Sequence, residues 1–562
     1  MGNPSEKQMD VNALKGIVFS DFNPSNFCGC LNRSEGISAV LGSEGEIGSQ
    51  LLAVQKRSEI YDFAVVWTRP EGAIPAFAQA LEFEQPNTEA VFAEIHHYTA
   101  LLKGLQDRVK HIFVPTWTLT GAQQRGWGML DLRPNLGLRN LLLRMNLALT
   151  EALGDASNFY VLDAQSWMGQ RSEGDAKLWY LAKVPFSPAV FVEAAHDIEA
   201  ALNGIGGKAR KLVLLDLDNT LWGGEVGEVG WEHLRLGGHD ATGEAFADFQ
   251  RALKALTRRG IVLGLLSKND EQVALEAIEK HPEMILSQND FAGWRINWKD
   301  KAENAVELVE DLNLGLSSAV FIDDQPAERS RVQEALPEVF VPEWPSDPLL
   351  YAQALQSLRC FDVPSVSNED RQRAGLYVSE RKRRKERQIA VSFDDWLKRL
   401  NTRVIVIPLN SSDLPRAAQL LNRINQMNLR TRRLSEDDLA NWLQDPSRFG
   451  WLFRVSDAFG DAGVCGFAGL QVCGQVGVLT DFALSCRVMG RQIETAMLHA
   501  ITRSANTEGV SEVQAEYVAT ARNQPCHTFF IDSHFKQQEN VFVWKNGIYD
   551  KPPVVEMVFE DG

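Results

Sequence analysis

One segment restricts the possible folds of this chain more than any other, the run KLVLLDLDNTLWGG, in which a short apolar stretch ends in two aspartates. The residues LVLL predict a buried strand, and Asp216 and Asp218 follow at its carboxyl end. Alternate residues of a strand point to opposite faces, so both carboxylates face one side while Leu217 points away. Because ligands of doubly wound sheets bind at this edge, the segment predicts an α/β domain with a site here.

Two carboxylates at one sheet edge repel each other unless a cation lies between them. A hard divalent ion with oxygen ligands meets this need, and Mg²⁺ is the usual ion beside phosphate. Asp216 is then placed as a nucleophile toward phosphorus. Asp218 is placed as a general acid and base, which protonates the leaving oxygen and later activates water.

Further polar residues follow at later strand ends and helix starts. Ser267 ends the apolar run IVLGLLS, where its hydroxyl could hold phosphate oxygens. Lys301 opens a helical stretch, where its charge and the helix N-terminus both favour an anion. Asp323 and Asp324 end the run AVFIDD and could complete a metal shell.

These residues resemble the four motifs of the haloacid dehalogenase (HAD) superfamily. The resemblance implies a Rossmann-like doubly wound parallel sheet. It implies that Asp216 and Asp218 are catalytic, that Ser267 and Lys301 bind phosphate, and that Asp216, Asp218 and Asp323 hold Mg²⁺.

Two details of this region leave alternatives open. Lys299 lies two residues before Lys301 and is a second candidate for the lysine role. Only about 50 residues separate Asp216 from Ser267, too few for a large cap domain. The glycine-spaced run GGEVGEVGWEHLRLGG predicts a β-hairpin flap, and an open mouth suits a bulky or protein-borne substrate.

The flanking segments look like the FkbH-like branch of the superfamily. The similar segments within the central region are LDLDNTLWGG, LLSKND, INWKDKAEN and FIDDQPAER, the last with Gln325 where the branch usually has asparagine. LWYLAKVPFSP upstream and LLNRINQMNLRTRR and LSCRVMGR downstream extend the likeness from about residue 10 to about residue 535.

The branch resemblance implies a Mg²⁺-dependent enzyme that forms glyceryl-acyl-carrier-protein from 1,3-bisphosphoglycerate for polyketide biosynthesis. The implied course is acyl transfer from the acyl phosphate to a protein thiol, loss of the 3-phosphate, and delivery to the phosphopantetheine thiol. The expected partners are therefore an acyl carrier protein and 1,3-bisphosphoglycerate.

Beyond residue 401 the pattern of strands and helices predicts an α+β domain. The turn RVMGRQ between a strand and a helix approximates the R-x-x-G-x-G/A pyrophosphate loop of GNAT acetyltransferases. Gln492 occupies the second glycine position, which disfavours coenzyme A. A carrier-borne phosphopantetheine lacks that pyrophosphate and could still enter.

Cys486 is the candidate for the acylated thiol. It ends a strand beside Arg487 and just before the predicted helix, and both features lower a thiol's pKa. The alternative interpretation is a small buried apolar residue. His527 is either a base for this thiol or a structural histidine.

The run INQMNLRTRR places three amide side chains within four residues of a predicted helical stretch. Asn425, Gln426 and Asn428 are either a solvated helix end or a group that faces the substrate or carrier protein. The basic run over 371–388 is either a solvated helix face or a docking strip for an acidic carrier.

Four domains are predicted: residues 1–207, 208–360, 361–400 as a helical connector, and 401–562. The first alternates strand-like and helical runs, which predicts a parallel sheet. It resembles SGNH hydrolases, but Phe22 stands where the nucleophilic serine is expected and no Asp-x-x-His precedes residue 205. A non-hydrolytic scaffold or docking module is therefore expected.

Composition excludes several other classes. The net charge of −17 argues against affinity for nucleic acid or acidic membrane surfaces. Seven scattered cysteines do not form a disulfide framework. The chain shows no apolar run of the ~18 residues a membrane span needs and no signal-peptide pattern, so a cytoplasmic protein is expected.

The sequence leaves three hypotheses for function open. The first is the glyceryl transferase and phosphatase, the second a HAD small-molecule phosphatase, and the third a GNAT-type N-acyltransferase.

Overall fold

The computed structural model describes residues 13–56, 58–120, 125–169, 176–366, 368–545 and 547–560. The chain divides into two compact units, one of residues 1–210 and 358–365, the other of residues 211–357 and 366–562. Within the described ranges, every helix is too short or too polar to cross a membrane. All seven cysteines are free thiols, as expected.

The first unit is built on a five-stranded parallel sheet. Its strands are β1 (Leu14–Ser20), β2 (Ile37–Leu41), β3 (Tyr61–Trp67), β4 (Val109–Pro115) and β5 (Phe159–Leu162). They lie in the order β2-β1-β3-β4-β5. The helices are α1 (Ser25–Leu31), α2 (Ile47–Gln55), α3 (Pro70–Ala73), α4 (Ala78–Leu81), α5 (Thr88–Lys103), α6 (Leu138–Leu153), α7 (Ala176–Ala182) and α8 (Pro188–Ile205).

Alternation along the strands assigns each side chain to one of two helix layers. Ile17 and Phe19 of β1 belong to the apolar cluster that includes residues of α2, α5 and α6. Val18, between them, belongs to the cluster on the other face, with residues of α1 and α8. Helices on both faces of a parallel sheet form the doubly wound arrangement that the sequence predicts.

Aromatic packing fills the second of these faces around Trp67, which is 1% exposed. Five rings have centroids 5.0 to 5.7 Å from its own, namely Phe22, Phe27, Trp167, Phe186 and Phe191. Phe22 is thus a core residue at the position where the SGNH resemblance places a serine.

The second unit begins with a four-stranded parallel sheet. Its strands are β6 (Leu212–Leu215), β7 (Val262–Ser267), β8 (Phe291–Ile296) and β9 (Ala319–Ile322). They lie in the order β8-β7-β6-β9. The helices are α9 (Val226–Val229), α10 (Ala241–Arg258), α11 (Glu271–Lys280), α12 (Lys301–Asp311), α13 (Pro326–Ala335) and α14 (Tyr351–Gln356).

The segment predicted as a β-hairpin flap takes a different form. A single antiparallel bridge joins Gly223 to Arg235, and the helical turn α9 lies within the loop. Gly224 and Gly230 have φ values of 106° and 74°, which turn the chain out of the extended conformation that a ladder requires.

Residues 361–400, predicted to be polar and helix-prone, contain α15 (Asn368–Ile389) and α16 (Phe393–Leu400). The basic residues of α15 largely serve the second unit itself. Arg381 donates to the carbonyls of Gln288 and Phe291, at 2.9 and 2.6 Å.

Arg383, also on α15, is 4% exposed and pairs with Asp457 at 2.7 Å. Lys382 and Lys385 of the same helix are exposed. Neither has a carboxylate partner within the described part of the chain. Arg381 and Arg383 of the basic run therefore make internal contacts, whereas Lys382 and Lys385 belong to its exposed face.

The C-terminal part of the second unit is the α+β domain that the sequence predicts. Its strands are β10 (Thr402–Pro408), β11 (Met427–Asn428), β12 (Arg448–Asp457), β13 (Gly460–Cys473), β14 (Val476–Leu484), β15 (Glu512–Glu516), β16 (Lys536–Gln538), β17 (Val541–Trp544) and β18 (Val555–Phe559). Its helices are α17 (Leu414–Arg423), α18 (Glu436–Leu443), α19 (Ile493–Thr507) and α20 (Gln524–Asp532).

The strands of this domain form one mixed sheet in the order β16-β17-β15-β14-β13-β12-β10-β18, and β11 pairs with β14. Strands β10, β12, β13 and β14 pair antiparallel in turn. The pairs β14–β15 and β10–β18 are parallel.

We expect Trp67→Ala to lower the free energy of unfolding by about 3–5 kcal/mol, because the change leaves a cavity among five packed rings. Urea unfolding followed by circular dichroism measures it. The matched control is Trp298→Ala, since Trp298 is 77% exposed and its loss should change stability by no more than about 0.5 kcal/mol. Equal effects of the two changes would contradict this account of the core.

Candidate active site

The candidate site lies where three neighbouring strands end. Strand β6 pairs in parallel with β7 on one side and β9 on the other, with Leu215 opposite Leu265 and Ile322. Asp216 and Asp323 follow the last residues of β6 and β9, and Ser267 is the last residue of β7. The register therefore brings all three residues to one edge of the sheet.

Lys301 lies between the two aspartates and is 3% exposed. Its Nζ is 2.9 Å from Oδ1 of Asp216 and 2.6 Å from Oδ2 of Asp323. Burial by itself would lower the pKa of Lys301, but the two carboxylates outweigh it and raise that pKa. Ser267 adds a hydrogen bond to the Asp216 carboxylate.

Of the two candidate lysines, only Lys301 contacts the aspartates of the sheet edge. The side chain of Lys299 is 62% exposed, and its Nζ lies 3.6 Å from Glu307. Lys301 is the lysine at the site. The start of α12 differs from the expected anion site, because the side chain of Asp300 already accepts the amides of Ala302 and Glu303.

Carboxylates at this edge form a cluster suited to a cation. Ligand oxygens of Asp216, Asp323 and Asp324 all lie within 4.8 Å of one another. Lys301 offsets one of three negative charges, which leaves two. Burial and the charge of Asp216 raise the pKa of Asp323 to about 6. An all-oxygen donor set with two uncompensated charges fits Mg²⁺.

Asp218 takes a different place from the one predicted for its side chain. Its carboxylate is outside the cluster and accepts hydrogen bonds from Trp222 Nε1 at 2.8 Å, the Val226 amide at 3.1 Å and Asn269 Nδ2 at 2.8 Å. Trp222 and Val226 lie at the start of the flap loop and Asn269 follows β7, while Asp324 supplies the third clustered carboxylate. Burial raises the pKa of Asp218, as a proton donor requires.

Two supporting residues were missed by the sequence reasoning. The Thr220 hydroxyl accepts the amide of Asp324 at 3.1 Å and so holds the loop after β9. Asn269 fixes one oxygen of Asp218. Both lie within a few residues of predicted site residues, and that proximity was the available signal.

Cys486 is exposed, which contradicts the interpretation as a buried apolar residue. It begins a short 3-10 turn, Cys486–Val488, and α19 starts only at Ile493. The predicted helix N-terminus therefore comes seven residues after the thiol in the chain. The side-chain amide of Asn313 donates to the thiol, with Nδ2 3.9 Å from Sγ. Arg487 beside it is also exposed.

His527 lies between aromatic rings, with centroid distances of 4.9 Å to Tyr517 and 5.4 Å to Phe542. Its Nδ1 is buried and has no hydrogen-bond partner among the described residues. No hydrogen bond joins it to Cys486 there, so the structure does not bring this pair together as base and nucleophile.

The three amide residues of the INQMNL segment lie outside the helix in which they were predicted, because α17 ends at Arg423. Asn428 is 1% exposed, and its side chain donates to the Ile424 carbonyl at 3.1 Å and accepts the Thr431 amide at 2.8 Å. Asn425 accepts from Arg433 at 2.6 Å. Only Gln426 of the three predicted residues is exposed, since the other side chains shape the turn into β11.

Two residues of the loop RVMGRQ, Gly490 and Arg491, are held by internal contacts. The Gly490 amide donates to Glu494 Oε1 at 2.7 Å. Arg491 is 4% exposed and pairs with Glu380 at 2.8 Å and Asp457 at 3.2 Å. Gln492 adopts φ 63°, a region that favours glycine. A pyrophosphate would have to displace these contacts, which disfavours the N-acyltransferase hypothesis.

Comparison with known proteins supports the central resemblance. No protein-family model matches the sequence, and no curated protein matches it. The structure is similar to a crystal structure of the N-terminal part of protein BF1531 from Bacteroides fragilis, which contains a phosphatase domain complexed with Mg. That similarity covers 63% of this chain and 95% of the other, with 25% identity and a TM-score of 0.56.

A second similarity involves the ribosomal-protein-S18-alanine N-acetyltransferase from Escherichia coli, with 15% identity over 27% of this chain and 97% of the other. Its TM-score of 0.20 is too low to carry a functional assignment. The fold is therefore a multidomain α/β arrangement with a HAD-like sheet, while the FkbH-like branch stays a prediction.

The cation cluster yields a prediction that separates Asp324 from Asp218. We expect Asp324→Asn to weaken Mg²⁺ binding by about tenfold or more, because it removes one of two uncompensated charges. Asp218→Asn should change it by less than about threefold, since that carboxylate lies outside the cluster. Isothermal titration with MgCl₂ measures both, and the reverse order would restore Asp218 as the ligand.

Proposed function

We propose that the chain is a Mg²⁺-dependent phosphoryl-transfer enzyme whose reaction takes place at the carboxyl end of β6. The observation that carries this proposal is the buried Lys301 between Asp216 and Asp323, with Asp324 completing an oxygen cluster. The similarity to a Mg-complexed phosphatase domain supports it.

The residues divide the chemistry between them. The Asp216 carboxylate attacks phosphorus, and the P–O bond to the leaving group breaks as the new P–O bond forms. Asp218 donates a proton to the leaving oxygen and then removes one from the water that hydrolyses the aspartyl phosphate. Ser267 and Lys301 hold the phosphate oxygens and orient Asp216.

A cation would be held by Asp216, Asp323 and Asp324. When bound, Mg²⁺ supplies positive charge that offsets the negative charge of the phosphate oxygens. The pKa of Asp323 is raised because these carboxylates are buried and lie close together. A bound cation would relieve the same repulsion.

The specific reaction that we propose is the loading of a glyceryl group from 1,3-bisphosphoglycerate onto the phosphopantetheine thiol of an acyl carrier protein. The Cys486 thiolate attacks the acyl carbon, a C–S bond forms, and the C–O bond to phosphate breaks so that inorganic phosphate leaves. The 3-phosphate is removed at Asp216, and the carrier thiol accepts the acyl group. The extended FkbH-like likeness and the exposure of Cys486 support this course.

A plain small-molecule phosphatase is the second candidate, because the sheet-edge site is complete without Cys486. Release of phosphate from a free sugar phosphate with no carrier protein present would favour it.

Phosphate release tests the sheet-edge site. We expect Asp216→Asn to reduce it by about 10³-fold or more, because the nucleophile is lost. Lys301→Met should reduce it by about 10²-fold, because the cation at the reacting phosphate is removed. The matched control is Lys299→Met, an exposed lysine two residues away, which should keep activity within about twofold. Equal loss in both lysine variants would contradict the assignment.

Intact mass tests the thiol. After incubation with 1,3-bisphosphoglycerate, Mg²⁺ and holo-carrier protein, we expect an acyl adduct on the enzyme and on the carrier. Cys486→Ser should lose the enzyme adduct, whereas Cys473→Ser, at another exposed thiol, should keep it. The absence of an adduct on either wild-type protein would exclude glyceryl loading.

A further inference from the structure

A cavity of ≈ 820 Å³ lies within the second unit beside Cys486. Strand β8, the last turn of α12 and helix α15 form its walls. Cys486 and Arg487 also line the cavity. The volume falls in the range that holds a small organic molecule rather than a bare ion.

The lining is cationic although the chain as a whole is acidic. Six lysine or arginine side chains and three carboxylates line the cavity, in a protein whose net charge is −17. Three of the cations have carboxylate partners, namely Arg295 with Glu307, Arg383 with Asp457 and Arg384 with Asp311.

The other three cations of the lining are Arg381, Lys385 and Arg487. Across the described residues, none of them forms an ion pair with a carboxylate. Arg381 is half-buried, and its guanidinium lies 4.4 Å from the ring centroid of Trp294. Burial lowers its pKa. Its Nη1 donates to two backbone carbonyls, but no carboxylate neutralises its charge, and a partly buried cation without a counter-ion favours binding of an anion.

The cavity lies apart from the sheet-edge cluster but leads toward it. Helix α12 begins at Lys301, and Asn313, two residues after its end, contacts Cys486. Eleven residues of helix span about 16 Å. Asn297 also lines the cavity, and its amide donates to the Ser267 carbonyl at 3.0 Å. The lining therefore extends from the thiol toward the phosphoryl site.

We propose that this cavity is a second anion site, in which Arg381, Lys385 and Arg487 hold the phosphate group of a small organic phosphate beside Cys486. The role of the thiol rests on the proposed function. Two ligands share the required chemistry, a free phosphorylated carboxylic acid derivative and the 4′-phosphopantetheine arm of a carrier.

Protection of the thiol from alkylation tests the site in the full-length protein. Iodoacetamide labelling of Cys486 is followed by peptide-resolved mass spectrometry, with 3-phosphoglycerate or 4′-phosphopantetheine present. We expect one of them to slow labelling of Cys486 about tenfold at saturation, and the one that does so identifies the ligand. Cys473, exposed and outside the cavity, should label at an unchanged rate.

Variants identify the cations that hold the phosphate. Arg487→Gln and Lys385→Gln should each raise the ligand concentration needed for protection by about tenfold, because each removes a charge-assisted hydrogen bond. Lys382→Gln, on the same helix but outside the cavity, should leave it unchanged. Each variant is compared with and without ligand, so that a change in intrinsic thiol reactivity cancels.

Failure of the anion site and failure of the proposed function give different results in these experiments. No protection by either phosphate compound, or equal protection by glycerate and pantetheine, would overturn the anion site even if phosphate release persists. Protection in a protein that releases no phosphate would contradict the sheet-edge proposal and leave the anion site standing.

Discussion

The buried contact of Lys301 with Asp216 and Asp323 is the interaction on which the candidate site depends. One ammonium group with 3% exposure lies between carboxylates from two strands. Loss of one partner from such a group leaves an uncompensated charge, which destabilises a protein by about 3–5 kcal/mol. The same contact holds Asp216 in one orientation, so stability and the proposed reactivity depend on the same atoms.

The three carboxylates exceed the one lysine in charge, and this excess distinguishes the site from an ordinary internal ion pair. Burial raises the pKa of Asp216, and the pKa of Asp323 rises to about 6 through burial and the neighbouring charge. A divalent cation would relieve the remaining repulsion. The cluster therefore has the character of a binding site rather than of a structural link.

Buried ion pairs of helix α15 hold another part of the second unit in place. Arg383 of this helix and Arg491 of the RVMGRQ loop share Asp457 and Glu380, and both arginines are nearly inaccessible. This network fixes the loop that follows Cys486. The basic run therefore contributes Arg381 and Arg383 to internal contacts, and its members Arg381 and Lys385 line the cavity beside the thiol.

Local patterns in the sequence determined much of this protein. Apolar runs of four to seven residues predicted the parallel strands, and the aspartates and the serine at their ends, with the lysine that opens a helix, were placed at one sheet edge. Those predictions rest on the period of two in a strand and on the common edge of parallel strands, which are local properties.

Only the tertiary structure decided which lysine enters the site, and that Asp324 rather than the side chain of Asp218 joins the cluster. It also decided that the INQMNL amides shape a turn and that Cys486 is exposed. These outcomes depend on which donors surround each side chain in the folded protein. Trp222 and Val226 follow Asp218 closely in the chain, but Asn269 comes from the loop after β7, and the strand pattern does not specify these hydrogen bonds.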